Sequence, residues 1–257
     1  VPNLTEYTQP CMVAFAAGMT ALLAERGIVP DYAAGLSLGE YSALQCAGVF
    51  TAPQAISLAA FRGKAMAAAA AGRPCGMTAV LGLDREKLQE ACRQAAGAGV
   101  VEIANYNCPG QLVIGGEQAA VDKAAALAKE LGAKRCLPLK VSGPFHTSLL
   151  APAGDALREK FRETAFGAMR IPVLFNCLGR EMGPEDTIPA LLGKQVQTSV
   201  YMEDTIRRLA ELGVDTIVEI GPGKALIGFV KKTAPAIKTY AVETCADLDA
   251  LSAALKG

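Results

Sequence analysis

The chain carries a serine between two glycines at a point where a short apolar segment gives way to a helical pattern. The sequence here is Gly35-Leu-Ser-Leu-Gly39, and the helical pattern after it ends near Gly48. A serine on a sharp turn from a strand into a helix projects its hydroxyl group, and the two glycines relieve the crowding in such a turn. We therefore predict an α/β fold that presents Ser37 as a nucleophile; the alternative is an ordinary glycine-rich turn.

The rest of the chain continues this alternation of helices and strands. Helices are predicted from Thr8 to Arg26 and, capped by Thr51, up to about Ala71. Beyond residue 150, helical patterns alternate with three short apolar strands: Pro172–Asn176, Thr216–Ile220 and Lys238–Val242. This rhythm predicts a mostly parallel sheet that is covered by helices.

Residues 75–139 have a different pattern and are predicted to form a small domain of their own. Six elements are expected in the order β-α-β-β-α-β, which is the split-βαβ, ferredoxin-like arrangement. The four strands are predicted at Met77–Leu83, Val100–Asn105, Gln111–Ile114 and Arg135–Leu139. Asn107-Cys-Pro-Gly110 is the predicted turn between the middle two. The predicted division is a small domain at 75–139 inserted into a larger domain at 1–74 and 140–257.

The composition excludes several classes of function. Hydrophobic residues make up 51% of the 257 residues, and 25 Lys and Arg balance 25 Asp and Glu. The chain therefore lacks the positive charge that attracts proteins to nucleic acids or membrane surfaces. The eight cysteines include no CxxC pair, so no metal or redox site is predicted and a reducing, cytoplasmic compartment is favoured.

Two uncharged stretches, Tyr7–Ala24 and Tyr41–Phe61, have the length of membrane helices. The first is dominated by alanine and contains several polar residues, and the second is interrupted by Gly48 and Pro53. Neither is the run of about 20 strongly apolar residues that a membrane span requires. We predict no membrane segment, and no export signal, because Glu6 stands where such a signal would be basic.

The only histidine of the chain is His146, in the segment Ser142-Gly-Pro-Phe-His-Thr147. A serine nucleophile needs a base to take its proton, and the imidazole group is the base most often used. We therefore predict that His146 is the catalytic base for Ser37. A histidine with a purely structural role is the alternative.

Arg62 lies on the apolar side of its predicted helix. Ser57 and Lys64 mark the solvent face, whereas Arg62 has Leu58 four residues before it and Met66 four residues after it. A buried guanidinium is costly unless a carboxylate or another partner meets it. Beside a serine nucleophile, we interpret Arg62 as a clamp for a substrate carboxylate. The alternative is an arginine that reaches water past its apolar stem.

These motifs resemble those of the malonyl-CoA:acyl-carrier-protein transacylase family, and the resemblance covers essentially the whole chain. Gly35-Leu-Ser-Leu-Gly-Glu-Tyr-Ser-Ala43 is similar to the serine motif of the family, Phe61-Arg-Gly-Lys64 to its arginine motif and Gly143-Pro-Phe-His146 to its histidine motif. Asn107-Cys-Pro-Gly-Gln111 resembles the turn in the small domain of the family. The family fold is an α/β hydrolase-like domain with a ferredoxin-like insert, in agreement with the pattern above.

The resemblance implies ping-pong transfer of a malonyl group from CoA to the phosphopantetheine thiol of an acyl carrier protein, for fatty-acid or polyketide synthesis. Ser37, deprotonated by His146, would attack the malonyl thioester. The N–H of Leu38 would form part of the oxyanion hole, and Arg62 would pair with the malonyl carboxylate. A main-chain carbonyl at Gln195 would orient the histidine. No cofactor is implied, because malonyl-CoA is a substrate.

The family resemblance also bears on specificity and on the start of the chain. Phe145, which precedes the histidine, is similar to malonyl-type rather than methylmalonyl-type acyltransferases. The family begins with a strand and a Gly-Gln-Gly-Ser-Gln loop, whose glutamine supplies a second oxyanion N–H. No segment of this chain matches that loop, so we expect the chain to begin several dozen residues later than the family does. Losing an oxyanion donor costs about 10²–10³-fold in rate.

Two other functions fit some of these motifs. A serine thioesterase or esterase would use the same turn, but such hydrolases usually place the histidine near the C-terminus. Here 111 residues follow His146. The second alternative is a non-catalytic module that only binds the carrier protein.

The predicted partners are malonyl-CoA and an acyl carrier protein, and the family implies a monomer. Carrier proteins are typically acidic, so we predict a basic patch on which the carrier docks. Its residues are Lys134, Arg135, Lys140, Lys231 and Lys232. A solvated surface without a binding role is the alternative.

Overall fold

The computed structural model describes residues 5–256; residues 1–4 and 257, which the predicted division assigns to the larger domain, lie outside the described residues. Within the described range the chain forms ten α-helices and ten strands. The helices are α1 (Thr5–Glu25), α2 (Gly39–Cys46), α3 (Ala52–Ala70), α4 (Arg85–Ala95), α5 (Gln118–Glu130), α6 (Ala151–Arg162), α7 (Ile188–Gln195), α8 (Met202–Glu211), α9 (Ala225–Thr233) and α10 (Cys245–Lys256). The strands are β1 (Ala33–Ala34), β2 (Cys75–Leu81), β3 (Val101–Cys108), β4 (Gln111–Glu117), β5 (Arg135–Pro138), β6 (Val173–Phe175), β7 (Arg180–Glu181), β8 (Val200–Tyr201), β9 (Thr216–Ile220) and β10 (Lys238–Val242).

We call residues 5–74 and 140–256 the large unit, and its strands pair mostly in parallel. Strand β1 lies parallel to β6, with Ala34 opposite Leu174, and β9 lies parallel to β10 over five residue pairs. Strand β7 adds an antiparallel edge to β6. The predicted parallel pairing is confirmed, but these strands form two short sheets, β1-β6-β7 and β9-β10, rather than one.

Helices α1 and α3 pack against each other, and both contact α2, the helix that follows the serine turn. Thr51 caps α3 as predicted, since its hydroxyl accepts the N–H of Gln54 at 3.3 Å and the Gln54 side chain accepts the N–H of Thr51 at 2.9 Å. Leu58 and Met66 of α3 are buried in the main core, together with Phe175 of β6. This packing fixes α3 beside the turn.

We call residues 75–139 the small unit. Its elements follow the predicted order, β2-α4-β3-β4-α5-β5, and the antiparallel strands lie in the order β5-β2-β4-β3. Asp84 caps α4 as predicted, because its carboxylate accepts the N–H of Lys87 at 2.8 Å. Strand β8 of the large unit extends this sheet as a fifth strand, parallel to β3. The separate core of this unit supports the division at residues 75–139, which stays a proposal.

The end of β3 was predicted too early. The strand runs to Cys108 rather than to Asn105, so only Pro109 and Gly110 of the predicted turn lie between β3 and β4. Asn107 was assigned to the turn, but its side chain is buried, as is that of Asn105. Two irregularities in the pairing with β4 let the strand continue past them.

Helix α1 is long and apolar enough to cross a membrane by length and composition alone. That is weak evidence, because core helices of globular proteins meet the same criterion. Here Val13 and Leu23 are buried against the protein, and only a third of the candidate window is buried. The second uncharged stretch, Tyr41–Phe61, is divided between α2 and α3. The absence of a membrane segment stays a prediction.

Candidate active site

Ser37 lies on the turn between β1 and α2, and its backbone has a left-handed φ of 55°. Gly35 is required at this turn, because a Cβ atom there would collide with the main-chain carbonyl of Gly39. A Cβ at Gly39 itself would meet no atom within 4 Å among the described residues. The prediction that both glycines relieve crowding is therefore wrong for Gly39, which is simply the first residue of α2.

His146 lies against the Ser37 hydroxyl. The distance from Ser37 Oγ to His146 Nε2 is 2.7 Å, and His146 Nδ1 lies 2.9 Å from the main-chain carbonyl of Gln195. A carbonyl oxygen only accepts hydrogen bonds, so Nδ1 carries the proton and the lone pair of Nε2 faces Ser37. The imidazole is thus held in the tautomer that a general base requires.

The imidazole is also kept neutral. His146 is only 4% exposed, and this burial, followed by the positive charge of Arg62, lowers its pKa to about 4. The hydrogen bond to the Gln195 carbonyl acts in the opposite direction but is the weaker influence. At neutral pH the ring is therefore available to accept a proton.

Arg62 is buried beside the serine, with an exposed fraction of 1%. Its Nη1 donates to Gln9 Oε1 at 2.7 Å, and its Nη2 donates to Ser37 Oγ at 2.9 Å and to Gln195 Oε1 at 3.0 Å. The alternative of an arginine that reaches water is therefore wrong. Burial lowers the pKa of Arg62, but a guanidinium remains charged at neutral pH. The positive charge of the guanidinium thus lies within hydrogen-bond distance of the nucleophile.

Gln195, the last residue of α7, contacts three members of the cluster. Besides its main-chain bond to His146, its side-chain Nε2 donates to the Ser37 carbonyl at 2.8 Å, and its Oε1 accepts from Arg62. The side chain is fully buried. Its amide therefore fixes the guanidinium relative to the serine turn.

Leu38 follows Ser37 at the N-terminus of α2. Among residues 5–256, its main-chain N–H meets no hydrogen-bond acceptor. The partial positive charge at a helix N-terminus favours an anion at this point. The position suits the oxyanion role that was predicted for Leu38, which stays a prediction.

Three polar residues around the serine were not predicted from the sequence. Gln9 accepts a hydrogen bond from Arg62, Asn176 contacts both sides of the Ser37 turn, and Glu40 accepts the Asn176 N–H at 2.6 Å. Burial raises the pKa of Glu40 to about 8. A signal was present for Gln9 and Glu40, because each is a polar residue on a buried helix face, whereas Asn176 follows a short strand without any pattern.

A cleft with a volume of about 250 Å³ opens onto these groups. Its lining includes Ser37, Arg62 and His146 of the large unit and Met77 and Asn105 of the small unit. Its remaining lining is mainly apolar: Leu36, Leu38, Met66, Leu139, Val141 and Phe145. The cleft therefore suits a small acyl group that carries one negative charge.

The sequence places the chain in a known family. A family model described as the acyl transferase domain matches residues 3–248, nearly the whole chain. The chain belongs to this acyl transferase family. The predicted family resemblance and the α/β fold class are therefore confirmed.

Relatives of this acyl transferase have consistent names. This chain is 40% identical over 241 residues to the malonyl CoA-acyl carrier protein transacylase of Bacillus subtilis strain 168, and the match covers 93% of this chain and 76% of that protein. A crystal structure of MCAT from Streptococcus pneumoniae is 46% identical with a TM-score of 0.94, covering 98% of this chain and 82% of that one. These names do not support the alternatives of a serine hydrolase or a non-catalytic module.

A third similar structure contains a carrier protein. It is the complex of a type II polyketide synthase acyl-carrier protein with its malonyl-transacylase, 38% identical to this acyl transferase with a TM-score of 0.93. The match covers 98% of this chain and 82% of that one. The surface of the fold is thus compatible with a docked carrier protein.

Proposed function

We propose that this chain moves a malonyl group from CoA to the phosphopantetheine thiol of an acyl carrier protein through a malonyl-serine intermediate. The observation that carries the proposal is the 2.9 Å contact between Arg62 Nη2 and Ser37 Oγ. An acyl group that is attached to Ser37 brings its far end close to this guanidinium. Malonyl has a carboxylate at that end, whereas acetyl has none.

The first half-reaction loads the serine. His146 Nε2 takes the proton of Ser37 Oγ at 2.7 Å, and the oxygen attacks the thioester carbonyl. The oxyanion that forms accepts the N–H of Leu38. When the C–S bond breaks, His146 returns its proton to the CoA thiolate. The product is malonyl-Ser37 and free CoA.

The second half-reaction transfers the malonyl group from Ser37 to the phosphopantetheine thiol. The thiol of phosphopantetheine gives its proton to His146 Nε2, and the thiolate attacks the malonyl ester carbonyl. When the ester bond breaks, Ser37 Oγ takes the proton back from His146. The reaction therefore uses protein groups and two thiols only, so we propose that no cofactor or metal takes part. The apolar lining around Met66 and Phe145 favours a thiol over water as the acceptor.

The test is the intact mass of the protein after brief exposure to malonyl-CoA, followed by a chase with pantetheine. We expect a malonyl adduct that is discharged by the thiol and that does not form in a Ser37→Ala variant. Release by water as fast as by the thiol would contradict transfer. No adduct at all on the wild-type chain, with its carrier-protein binding retained, would favour the non-catalytic module.

We also propose the docking patch on the small unit and α9. Lys134, Arg135 and Lys140 are exposed along β5 and the segment after it, and Lys232 of α9 approaches Gln111 of β4 at 3.4 Å. Lys140 lies at a second opening beside the cleft, next to Phe145. The basic side chains would therefore meet an acidic carrier while its phosphopantetheine enters the cleft.

Charge reversal tests this patch. We expect Lys140→Glu and Lys232→Glu to slow transfer to the carrier protein about tenfold or more at low salt, with a smaller effect at high salt. Loading of Ser37 by malonyl-CoA should be unchanged in Lys232→Glu. Arg162→Glu, an exposed change of equal charge on α6, is the control. Equal loss of both half-reactions would contradict a docking role.

We propose that the protein is a monomer and that it acts in the cytoplasm. We also propose that it binds neither nucleic acid nor a membrane. The balanced charge of the sequence supports this proposal. So do the cysteines, which are all free in the structure. Sedimentation of the full chain measures the oligomeric state directly.

A further inference from the structure

Asn176 is a buried amide directly behind the serine turn. It follows the last residue of β6, and β6 lies parallel to β1, which leads into Ser37. The carboxyl ends of two neighbouring parallel strands therefore bring Asn176 and the turn together although 139 residues separate them in sequence. Asn176 is only 1% exposed, so its polar groups must be satisfied within the protein.

The carboxamide of Asn176 holds both sides of the turn. Its Oδ1 accepts the main-chain N–H of Ser37 at 2.5 Å, and its Nδ2 donates to the main-chain carbonyl of Gly35 at 2.6 Å. An N–H can only donate and a carbonyl can only accept, so this orientation of the amide is fixed by chemistry. Among the side chains, only an amide or a protonated carboxyl of this size supplies one acceptor and one donor in this arrangement.

The main chain of Asn176 is anchored as well. Its N–H donates to Glu40 Oε2 at 2.6 Å, and its carbonyl accepts the N–H of Tyr201, which lies at the end of β8, at 2.9 Å. Glu40 belongs to α2, the helix that follows the serine. The turn, α2, β6 and β8 are thus tied together at one residue.

This anchorage matters because the serine is strained. Ser37 has a φ of 55°, a left-handed conformation that is unfavourable for an L-residue and persists only when neighbouring contacts impose it. The hydrogen bonds from Asn176 hold the main chain that leads into Ser37, at the Gly35 carbonyl and at the Ser37 N–H, and so help to impose this conformation. The same conformation directs Oγ toward His146 and places the Leu38 N–H at the start of α2.

We propose that Asn176 is a positioning residue of the acyl transfer, which holds the Ser37 turn in its reactive conformation and is itself held by Glu40. The inference rests on the proposed function, since the reaction is what the turn serves. Asn176 is absent from the lining of the cleft, so it acts through the turn and not on the acyl group.

Two variants test this role. Asn176→Ala removes both hydrogen bonds to the turn. Asn176→Asp keeps the size and the acceptor but, when ionised, loses the donor and points a negative oxygen at the Gly35 carbonyl. When protonated, the same aspartic acid again offers one acceptor and one donor. Burial raises the pKa of a carboxyl group, so this protonation falls within an accessible pH range.

We expect Asn176→Ala to slow Ser37 acylation about 10²-fold, as a displacement of about 1 Å does. The rate should fall by the same factor for malonyl-CoA and acetyl-CoA, because Arg62 is unaffected, with little change in KM. Asn176→Asp should be nearly as slow at about pH 8 and should approach the wild type at about pH 5.5, where His146 remains neutral. Glu40, which contacts Asn176 and whose pKa is raised by burial to about 8, also titrates in this range, so each rate is taken relative to the wild type at the same pH. A residue that only stabilises the fold would not give this recovery.

A second measurement is the rate at which a fluorophosphonate labels Ser37 in the same proteins at the same two pH values. This reagent labels reactive serines and needs no CoA. If Asn176→Ala reacts at the wild-type rate, or if the ratio of Asn176→Asp to wild type is the same at both pH values, the role is wrong. If Asn176→Ala does not fold, the pH comparison on Asn176→Asp decides. A wild-type chain that reacts with the fluorophosphonate but not with malonyl-CoA would contradict the proposed function while still testing Asn176.

Discussion

At the scale of single residues, Arg62 places one positive charge beside Ser37 Oγ, the atom that carries the acyl group in the proposed reaction. We expect Arg62→Ala to depress loading of Ser37 by malonyl-CoA about 10–10²-fold more than loading by acetyl-CoA. The reason is that a charge-assisted hydrogen bond contributes about 1.5–3 kcal/mol, and only malonyl has a carboxylate to form it. Loading rates with both thioesters measure the ratio, and an unchanged ratio would remove Arg62 from the carboxylate role.

The same charge also affects the base. After burial, the positive charge of Arg62 is the second cause that lowers the pKa of His146 to about 4. Arg62→Ala removes this charge, so the pKa of His146 should rise, and the acid limb of kcat/KM should move to higher pH. Acetyl-CoA is the substrate for this measurement, since it does not depend on the carboxylate contact. An acid limb at the same pH in both proteins would show that the two side chains are not coupled.

Ser37 and His146 could be predicted from local features of the sequence, whereas Asn176, which reaches the site through strand pairing, could not. Ser37 stands in a turn whose spacing alone is informative, and His146 was singled out because the chain has no other imidazole. Asn176 also contacts the turn, but it lies 139 residues from Ser37 in the sequence and follows a strand of only three residues. Asn176 meets the Ser37 turn only because β6 pairs with β1, and no local sequence pattern indicates that pairing.

At the scale of elements, the turn between β1 and α2 depends on one glycine and not on the other. We expect Gly35→Ala to destabilise the fold by several kcal/mol and to abolish labelling of Ser37, because the added Cβ collides with the Gly39 main chain. Gly39→Ala is the matched control. It adds the same atom in open space at the start of α2 and should be neutral or raise the free energy of unfolding by about 0.5–1 kcal/mol.

Thermal unfolding and fluorophosphonate labelling measure both effects. Equal behaviour of the two variants would contradict the asymmetry of the turn. The asymmetry has a simple geometric origin, since β1 and α2 meet so closely that the backbone of Gly39 occupies the place of a side chain at Gly35. The sequence motif contains two glycines and therefore does not reveal which one is sterically required.

Elements with a clear periodicity were predicted well, and very short ones were missed. The strands Thr216–Ile220 and Lys238–Val242 have the predicted bounds. Strands β7 and β8 are two residues long and carry no periodicity that a sequence can reveal. Strand β8 nevertheless matters, because its pairing with β3 joins the large unit to the sheet of the small unit.

At the scale of the whole molecule, the two units are joined by a cluster around Arg85. This residue begins α4 of the small unit, and its guanidinium forms two hydrogen bonds with Asp204 of α8, at 2.8 and 3.1 Å, and approaches Glu203 at 3.1 Å. It also lies 4.7 Å from the centre of the Tyr106 ring, which stacks on Tyr201 at 5.0 Å. The cluster lies beside the pairing of β3 with β8.

The cleft depends on this junction, because its walls come from both units. Met77 and Asn105 of the small unit line it together with Ser37 and Arg62 of the large unit. We expect Arg85→Ala to lower the free energy of unfolding by about 1–2 kcal/mol, through loss of the paired hydrogen bonds and the ring contact. A looser junction should also raise KM for malonyl-CoA more than it changes kcat, because the catalytic groups themselves lie in the large unit.

Arg93→Ala is the control, since Arg93 lies on the same helix but is 75% exposed and, within residues 5–256, forms its ion pair with Glu90 of that helix. Its loss should change the free energy of unfolding by less than about 0.5 kcal/mol and leave KM unchanged. Denaturant unfolding and steady-state kinetics of the two variants compare a contact between the units with one inside a single helix. If Arg85→Ala behaves like Arg93→Ala in both measurements, the pairing of β3 with β8 alone is sufficient to hold the walls of the cleft together.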